Sequence, residues 1–253
     1  MMATLAHIWR HPIKAHGREA LDYVALAVGQ TMPWDRAWAV AHARATVDAA
    51  HPVWGECVNF SRGSKVPGIM AIDARVAEET GCVTLCHPNR PDLEFDPDLA
   101  ADLPRFLDWV APLMPAEQPA SAQIIRVPGR GMTDTSFPSI SIANLASNVA
   151  LSDVMGVALS PQRWRCNLWL DGPAAWDEAS WIGQRLRVGK VELLVREPIV
   201  RCKATTANPQ TGAYDADTLG ALRATVGEQN FGVYAEVVQG GIIHLNDPVE
   251  VIA

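Results

Sequence analysis

The stretch PIVRCKATTANPQTG, residues 198–212, carries one cysteine between two cations. Cys202 lies between Arg201 and Lys203, and a pair of threonines begins at Thr205. Its apolar start predicts a strand that runs through the cysteine, with side chains alternating between opposite faces. Nearby cations favour the thiolate, the form that binds soft metals, but alternation places both cations on the other face. The local pattern alone therefore leaves two alternatives, a small core residue and a metal ligand.

Short apolar runs on both sides of this stretch predict further strands. The predicted strands cover residues 3–10, 21–28, 36–42, 124–127, 164–170, 186–195, 199–205, 232–238 and 249–252. Helical spacing of apolar residues predicts helices within residues 102–114 and near residues 217–226, and Ser141 is expected to cap a short helix that ends near residue 148. Many short strands with few helices predict a mainly β fold of closed or sandwiched antiparallel sheets.

Composition limits the classes of function. The net charge of −7 argues against general nucleic-acid binding, because neutralising phosphates requires a basic surplus. No run reaches the roughly 18–20 apolar residues of a spanning helix, and the first residues lack a secretory pattern, so we expect no membrane partner and a cytoplasmic location. Five cysteines then predict reduced thiols. Cys57, Cys82 and Cys86 are expected to be core residues.

Basic residues in patterned positions are the strongest local signal, since no common catalytic motif and no metal-ligand histidine spacing is present. Lys14 follows a proline at a predicted turn, and Arg36 opens a predicted strand. Arg163, Arg165 and Asn167 alternate along another strand, so we expect them to share one face as a row of hydrogen-bond donors. Solvated surface charges are the other interpretation of this row.

These residues lie in blocks that together resemble a known family, the MOSC domain, named after the carboxyl terminus of molybdenum cofactor sulfurase. The matching blocks are QRWRCNLWLDG (162–172), WDEASWIGQRLRVG (176–189), PIVRCKATTANPQTG and FGVYAEVVQGGIIHLNDPVEV (231–251). FPSISIANLAS (137–147) resembles the serine-rich opening of that domain. HIWRHPIKAHG (7–17) and DRAWAV (35–40) resemble the β-barrel domain that commonly precedes it.

The resemblance implies a barrel-like MOSC domain over residues 120–253, an amino-terminal β-barrel-like domain over residues 1–95, and a helical linker over residues 96–119. It also implies a molybdenum cofactor site similar to that of the amidoxime-reducing component group, in which Cys202 supplies a thiolate to molybdenum. By the same resemblance the pterin and its phosphate would be held by Lys14, Arg36, Arg165 and Arg163. Supporting polar contacts would come from Asn167 and from Ser139 or Ser141, and Thr205, in the matching threonine pair, would lie next to the metal.

The implied activity is a molybdenum-dependent reduction of N-hydroxylated or related N-oxygenated small molecules. Because no ferredoxin-like stretch follows the MOSC blocks, we expect electrons from a separate iron–sulfur or haem protein. Two alternatives stay open: a non-catalytic carrier of the cofactor or its sulfur, and a scaffold for another phosphorylated ligand. Three positions depart from the family pattern: Ala15 replaces a common serine, Cys166 a common proline, and Asn246 a common glycine, where asparagine tolerates a left-handed turn.

Overall fold

The structure is a computed structural model that describes residues 3–252, and it is built mainly from β-strands. The strands are β1 (Ala3–Arg10), β2 (Glu19–Leu21), β3 (Tyr23–Leu26), β4 (Trp38–His42), β5 (Asp73–Ala77), β6 (Cys82–His87), β7 (Arg90–Phe95), β8 (Ser121–Arg126), β9 (Ile140–Asn144), β10 (Leu168–Asp171), β11 (Arg185–Val188), β12 (Val191–Val200), β13 (Asn230–Gln239), β14 (Gly241–His244) and β15 (Pro248–Ile252). The α-helices are α1 (Leu103–Val110), α2 (Leu145–Met155) and α3 (Thr218–Val226). The predicted mainly β fold is confirmed.

Seven strands close into a barrel in the order β1, β10, β9, β13, β12, β11, β15 and back to β1. The pairing of β9 with β10 is parallel, and the other neighbours in the ring are antiparallel. Alternate residues of each strand point inward, as Val191, Leu193 and Val195 do on β12, and all three are buried. Closure leaves no free edge among these strands and encloses an apolar core.

A second apolar cluster lies outside the barrel and is covered by α1. The antiparallel strands β5, β6 and β7 form a small sheet against which the helix packs. Phe106 of α1 stacks on Phe95 of β7 with ring centroids 5.1 Å apart, and Val110 is buried one turn later. The helical spacing of apolar residues predicted this helix correctly, with Pro104 in its first turn.

The structure corrects two predicted strands that matter for the site. Residues 163–167 are not a strand, because Pro161 and its capping neighbour Ser160 begin a short 3₁₀ helix that ends at Trp164. Arg165 follows in the left-handed conformation with φ 50°, and β10 begins only at Leu168. Arg163, Arg165 and Asn167 therefore do not share a strand face.

The second correction concerns Cys202 and the predicted helix cap. β12 ends at Val200, and Cys202 precedes a 3₁₀ turn, Lys203–Thr206, so strand alternation does not apply to it. Ser141 lies within β9, and Asn144 caps α2 by accepting a hydrogen bond from the amide of residue 146. The cap was predicted at Ser141, which is wrong because the residues that directly follow it belong to strand β9. The helix begins only at Leu145.

The first strand, β1, pairs with β10 and β15 and thereby completes a barrel whose other strands all follow residue 139. The domain limits at residues 95 and 119 stay a prediction. The barrel contains strands from both predicted domains, because β1 lies in the first and the other barrel strands lie in the second. Within residues 3–252, no helix has the length and hydropathy needed to cross a membrane.

Candidate cofactor-binding cavity

A cavity of about 480 Å³ opens beside the barrel and collects side chains from distant parts of the sequence. This size falls in the range of small-molecule and cofactor sites. Its lining includes six cationic side chains but two carboxylates, although the protein as a whole carries a net charge of −7. The cations are Lys14, Arg36, Arg62, Arg163, Arg165 and Arg201, and the carboxylates are Glu56 and Asp134. The cavity is thus suited to an anionic ligand.

Lys14 is held at the cavity by the backbone of its turn. Its amide donates a hydrogen bond to the carbonyl of Trp38 at 2.7 Å, which ties the turn to the start of β4. The side chain is buried, and its Nζ donates to the Met132 carbonyl at 2.8 Å and to Asp134 Oδ1 at 2.5 Å. The next residue, Ala15, takes φ 65°, so the turn is left-handed where the family commonly has serine. Lys14 therefore presents its charge from a fixed position.

Arg36 and Arg165 lie next to each other, and both have φ 50°. Nη2 of Arg36 donates to the Arg165 carbonyl at 2.9 Å, and Nη1 pairs with the buried carboxylate of Asp35. Although burial favours the neutral acid, Arg36 and a hydrogen bond from His11 hold the pKa of Asp35 well below its ordinary value. Arg36 is thus a charged residue in a rigid setting.

Arg165 carries the clearest sign of a missing partner. Its Nη2 donates to the Gly17 carbonyl at 3.0 Å, whereas its buried Nη1 has no hydrogen-bond partner among residues 3–252. Burial, followed by the charges of Arg36 and Arg18, lowers the pKa of Arg165 to about 9, which leaves it charged at neutral pH. A buried donor that stays unpaired is costly, so an anion at this position would satisfy it.

Arg163 also lines the cavity, but protein acceptors occupy part of its guanidinium. Nη1 donates to the Ala207 carbonyl at 2.9 Å, and Nη2 pairs with Asp215 at 2.7 Å. Arg163, Arg165 and Asn167 were expected to form a row of free hydrogen-bond donors, and this prediction is wrong. The 3₁₀ helix turns Arg163 toward the loop that contains residue 207. Arg163 fixes that loop in place.

The predicted polar contacts lie at different depths. Ser141 lines the cavity, and its hydroxyl donates to Asn167 Oδ1 at 2.7 Å. Asn167 lies behind Ser141, outside the lining, and its Nδ2 donates to the Trp9 carbonyl at 3.1 Å. Ser139 is buried outside the lining and accepts a hydrogen bond from the Thr135 hydroxyl at 2.7 Å. The structure therefore brings Ser141 to the cavity but not Asn167 or Ser139.

Cys202 is exposed and lines the same cavity. Of its flanking cations, Arg201 is buried and donates to the carbonyls of Phe231 and Trp164 at 2.8 and 2.7 Å. Lys203 lies over the ring of Tyr214, 4.2 Å from Nζ to the centroid. Both cations are therefore engaged in contacts of their own.

Thr205 braces the turn that carries the thiol. Its hydroxyl donates to the Cys202 carbonyl at 3.2 Å and lies 2.7 Å from the Thr218 hydroxyl at the start of α3. Thr205 also lines the cavity. These contacts fix the backbone of Cys202 and leave its sulfur facing open space.

Sequence reasoning missed part of the lining. Cys57, expected in the core, is exposed at the cavity, and Arg62 Nη1 donates to its sulfur at 3.3 Å. Cys82 and Cys86, also expected in the core, lie on β6, and both are partly exposed because the alternate residues of that strand point inward. The glycines in the loop after residue 60 could have indicated a backbone segment that passes close to a ligand. Nothing in the sequence singled out Asp134.

The donor set fits a phosphorylated cofactor that brings its own metal. Across the described residues, 3–252, no three side chains of histidine, cysteine, aspartate or glutamate converge as a metal site. A metal held at Cys202 would therefore need further ligands from a cofactor. The unpaired nitrogen of Arg165, with Lys14 and Arg36, provides the positive charge that a phosphate group requires.

Comparison with known proteins identifies a family for part of the chain. Residues 136–250 match the family model for the MOSC domain. Molybdenum cofactor sulfurase 2 of Culex quinquefasciatus is 30% identical over 98 residues, which cover 36% of this chain but only 13% of that protein.

Two solved structures are similar at low identity. The YuaD protein from Bacillus subtilis is 14% identical with a TM-score of 0.47, covering 99% of this chain and 96% of its own. YiiM from Geobacillus stearothermophilus is 19% identical with a TM-score of 0.36, covering 45% of this chain and 54% of its own. On the strength of the family match, the carboxyl-terminal part of the chain, residues 136–250, is a MOSC domain.

Proposed function

We propose that the cavity binds the molybdenum cofactor, with its phosphate on Lys14, Arg36 and Arg165 and its metal at Cys202. The observation that carries the proposal is the presence, in one cavity, of an exposed thiol and a buried guanidinium nitrogen that has no partner within residues 3–252. MOSC domains are associated with this cofactor, which supplies both the phosphate and the additional metal ligands that the cavity lacks.

Each cation has a distinct part in holding the phosphate. Arg165 would donate through its unpaired Nη1, while its Nη2 stays on the Gly17 carbonyl. Lys14 keeps its position in the fixed turn, but its ammonium group can redirect a hydrogen bond from Asp134 to the phosphate by rotating. Arg36 is held by its ion pair with Asp35, so it would attract the phosphate mainly through the electrostatic field of its positive charge. Because these side chains are largely buried, their attraction for an anion is stronger than it would be in bulk water.

We propose further that the protein is a reductase of N-hydroxylated or related N-oxygenated compounds. When bound, the cofactor supplies a metal that exchanges electrons and takes up oxygen from a substrate. The protein would hold that metal through the Cys202 thiolate, and the apolar side chains of Ile199 and Met70 in the lining would limit water at the site. A separate iron–sulfur or haem protein would deliver electrons.

The first experiment measures the cofactor itself. We expect about one molybdenum and one pterin per chain after expression in a molybdenum-replete host, and a large loss of metal in Cys202→Ala. Cys82→Ala is the matched control, since Cys82 lies on β6 outside the cavity lining, and it should retain the metal. Equal, near-zero molybdenum in all three proteins would refute the proposal. A phosphorylated compound other than pterin in the extract would indicate a different ligand for the same cations.

A second candidate function is a carrier of the cofactor or its sulfur. The observation in its favour is that two exposed thiols, Cys57 and Cys202, line the same cavity. Reduction of hydroxylamines and amidoximes with a reduced dye as donor separates the two candidates. Turnover by the molybdenum-containing protein supports the reductase, whereas stoichiometric molybdenum without turnover supports the carrier.

A further inference from the structure

Asp134 places a negative charge inside the group of cations proposed to bind phosphate. The residue lies in the connection between β8 and β9, and its Oδ1 is 2.5 Å from Lys14 Nζ. Although its partly dehydrated position beside these cations favours the neutral acid, the charges of Lys14, Arg36 and Arg165 hold its pKa below the ordinary value. The carboxylate is therefore ionised at neutral pH.

The charges of this group nearly balance without any ligand. Three cations, Lys14, Arg36 and Arg165, face two carboxylates, Asp35 and Asp134. Asp35 is fully buried and pairs with Arg36, so it cannot leave. The side chain of Asp134, in contrast, is 54% exposed to the open cavity, so it can rotate away from Lys14.

The backbone around Asp134 is fixed, which confines any movement to its side chain. The Met132 amide donates to the Arg36 carbonyl at 2.7 Å, and the Met132 carbonyl accepts from Lys14. On the other side, Arg130 donates to the carbonyls of Thr135 and Ser136 at 3.1 and 2.9 Å. Release of Lys14 therefore needs a side-chain rotation and no rearrangement of the loop.

We propose that Asp134 is an internal counter-ion of Lys14, which an incoming dianion must displace in order to bind. The inference rests on the proposed anion site and adds that Asp134 lowers the affinity of this site for anions. A tethered carboxylate competes for Lys14 without losing translational freedom, whereas a free anion loses that freedom on binding. The ionised carboxylate also repels a dianion held by the neighbouring guanidinium groups.

The test uses sulfate, a dianion at all pH values near neutrality, as the probe on the full chain purified without cofactor. Isothermal titration at constant ionic strength, set with chloride, compares the parent protein with Asp134→Asn and Asp108→Asn. Asp108 lies exposed on α1, so its substitution makes the same change in net charge away from the cavity. We expect sulfate to bind about tenfold more tightly to D134N than to the parent, and D108N to match the parent.

A further variant shows whether the gain depends on the freed lysine. Combining Asp134→Asn with Lys14→Gln should abolish the tenfold gain, because no ammonium remains to be released. Equal or weaker sulfate binding by D134N overturns the inference while leaving the anion site in place. Absence of sulfate binding in every protein overturns both. If D134N fails to fold, as judged by circular dichroism, Asp134→Ser takes its place with the same expectations.

Discussion

Replacing Asn167 by alanine is expected to destabilise the fold, because this side chain, just before β10, hydrogen-bonds to the two neighbouring strands β9 and β1. Asn167 is 1% exposed. Its Oδ1 accepts from the Ser141 amide at 3.0 Å and from the Ser141 hydroxyl at 2.7 Å, and its Nδ2 donates to the Trp9 carbonyl at 3.1 Å. Truncation leaves groups on β9 and β1 without these partners.

The expected magnitude follows from these three hydrogen bonds. Each contributes about 1 kcal/mol net, and a buried group left unpaired adds a desolvation penalty of about 1–3 kcal/mol. Because Ser141 can redirect its hydroxyl and the Asn167 amide keeps its own bond to the Ser141 carbonyl, we expect a total loss of about 3 kcal/mol. With a urea m-value of about 3 kcal/mol/M for a chain of this size, the midpoint should fall by about 1 M.

Urea denaturation followed by tryptophan fluorescence measures this shift. Asn89→Ala is a matched control, since Asn89 is exposed in the turn between β6 and β7, and its midpoint should change little. A midpoint for N167A within about 0.3 M of the parent, with the same m-value, would refute the assigned structural role.

Three further outcomes test other parts of the structure. Burial raises the pKa of Glu178, so the folded state holds its proton to higher pH than the unfolded state; stability is then fully present at low pH and falls as pH rises through the folded pKa. Glu178→Gln should flatten the decline of the thermal midpoint as the pH rises above about 4.5, the ordinary pKa of glutamate, and an unchanged slope would contradict this. Iodoacetamide should alkylate exposed Cys202 readily but buried Cys166 only after unfolding, as peptide mass spectrometry would show. Gly212→Ala should cost about 2 kcal/mol or more, because Gly212 has φ 70° and an added Cβ would lie 2.7 Å from Gly68 Cα; a variant that melts with the parent would contradict this.

The sequence predicted the class of fold and the helices α1 and α3 because both depend on local periodicity. Alternating apolar residues mark the barrel strands, and β1 was predicted with its observed limits. Asn246 adopts φ 69°, the left-handed conformation that was expected where the family commonly has glycine. Such signals are contained within a few neighbouring residues.

The site was less accessible, because its geometry depends on contacts between distant segments. Arg163 and Arg165 alternate in sequence, yet Pro161 starts a 3₁₀ helix that sends one to Asp215 and the other to Gly17. Their roles in binding, like those of the other proposed site residues, stay predictions. Asp134 has no motif at all, since its meaning comes only from its 2.5 Å contact with Lys14.

The closure of the barrel by β1 has a consequence for synthesis of the protein. Ala3 pairs with Val249 and Thr4 with Pro248, so during synthesis β1 must wait for β15 before these pairs can form. At about 5–20 residues per second, this interval lasts from roughly ten seconds to about a minute. Throughout it the edge of β1 that pairs with β15 stays open, so pairing with other strands competes with closure of the barrel.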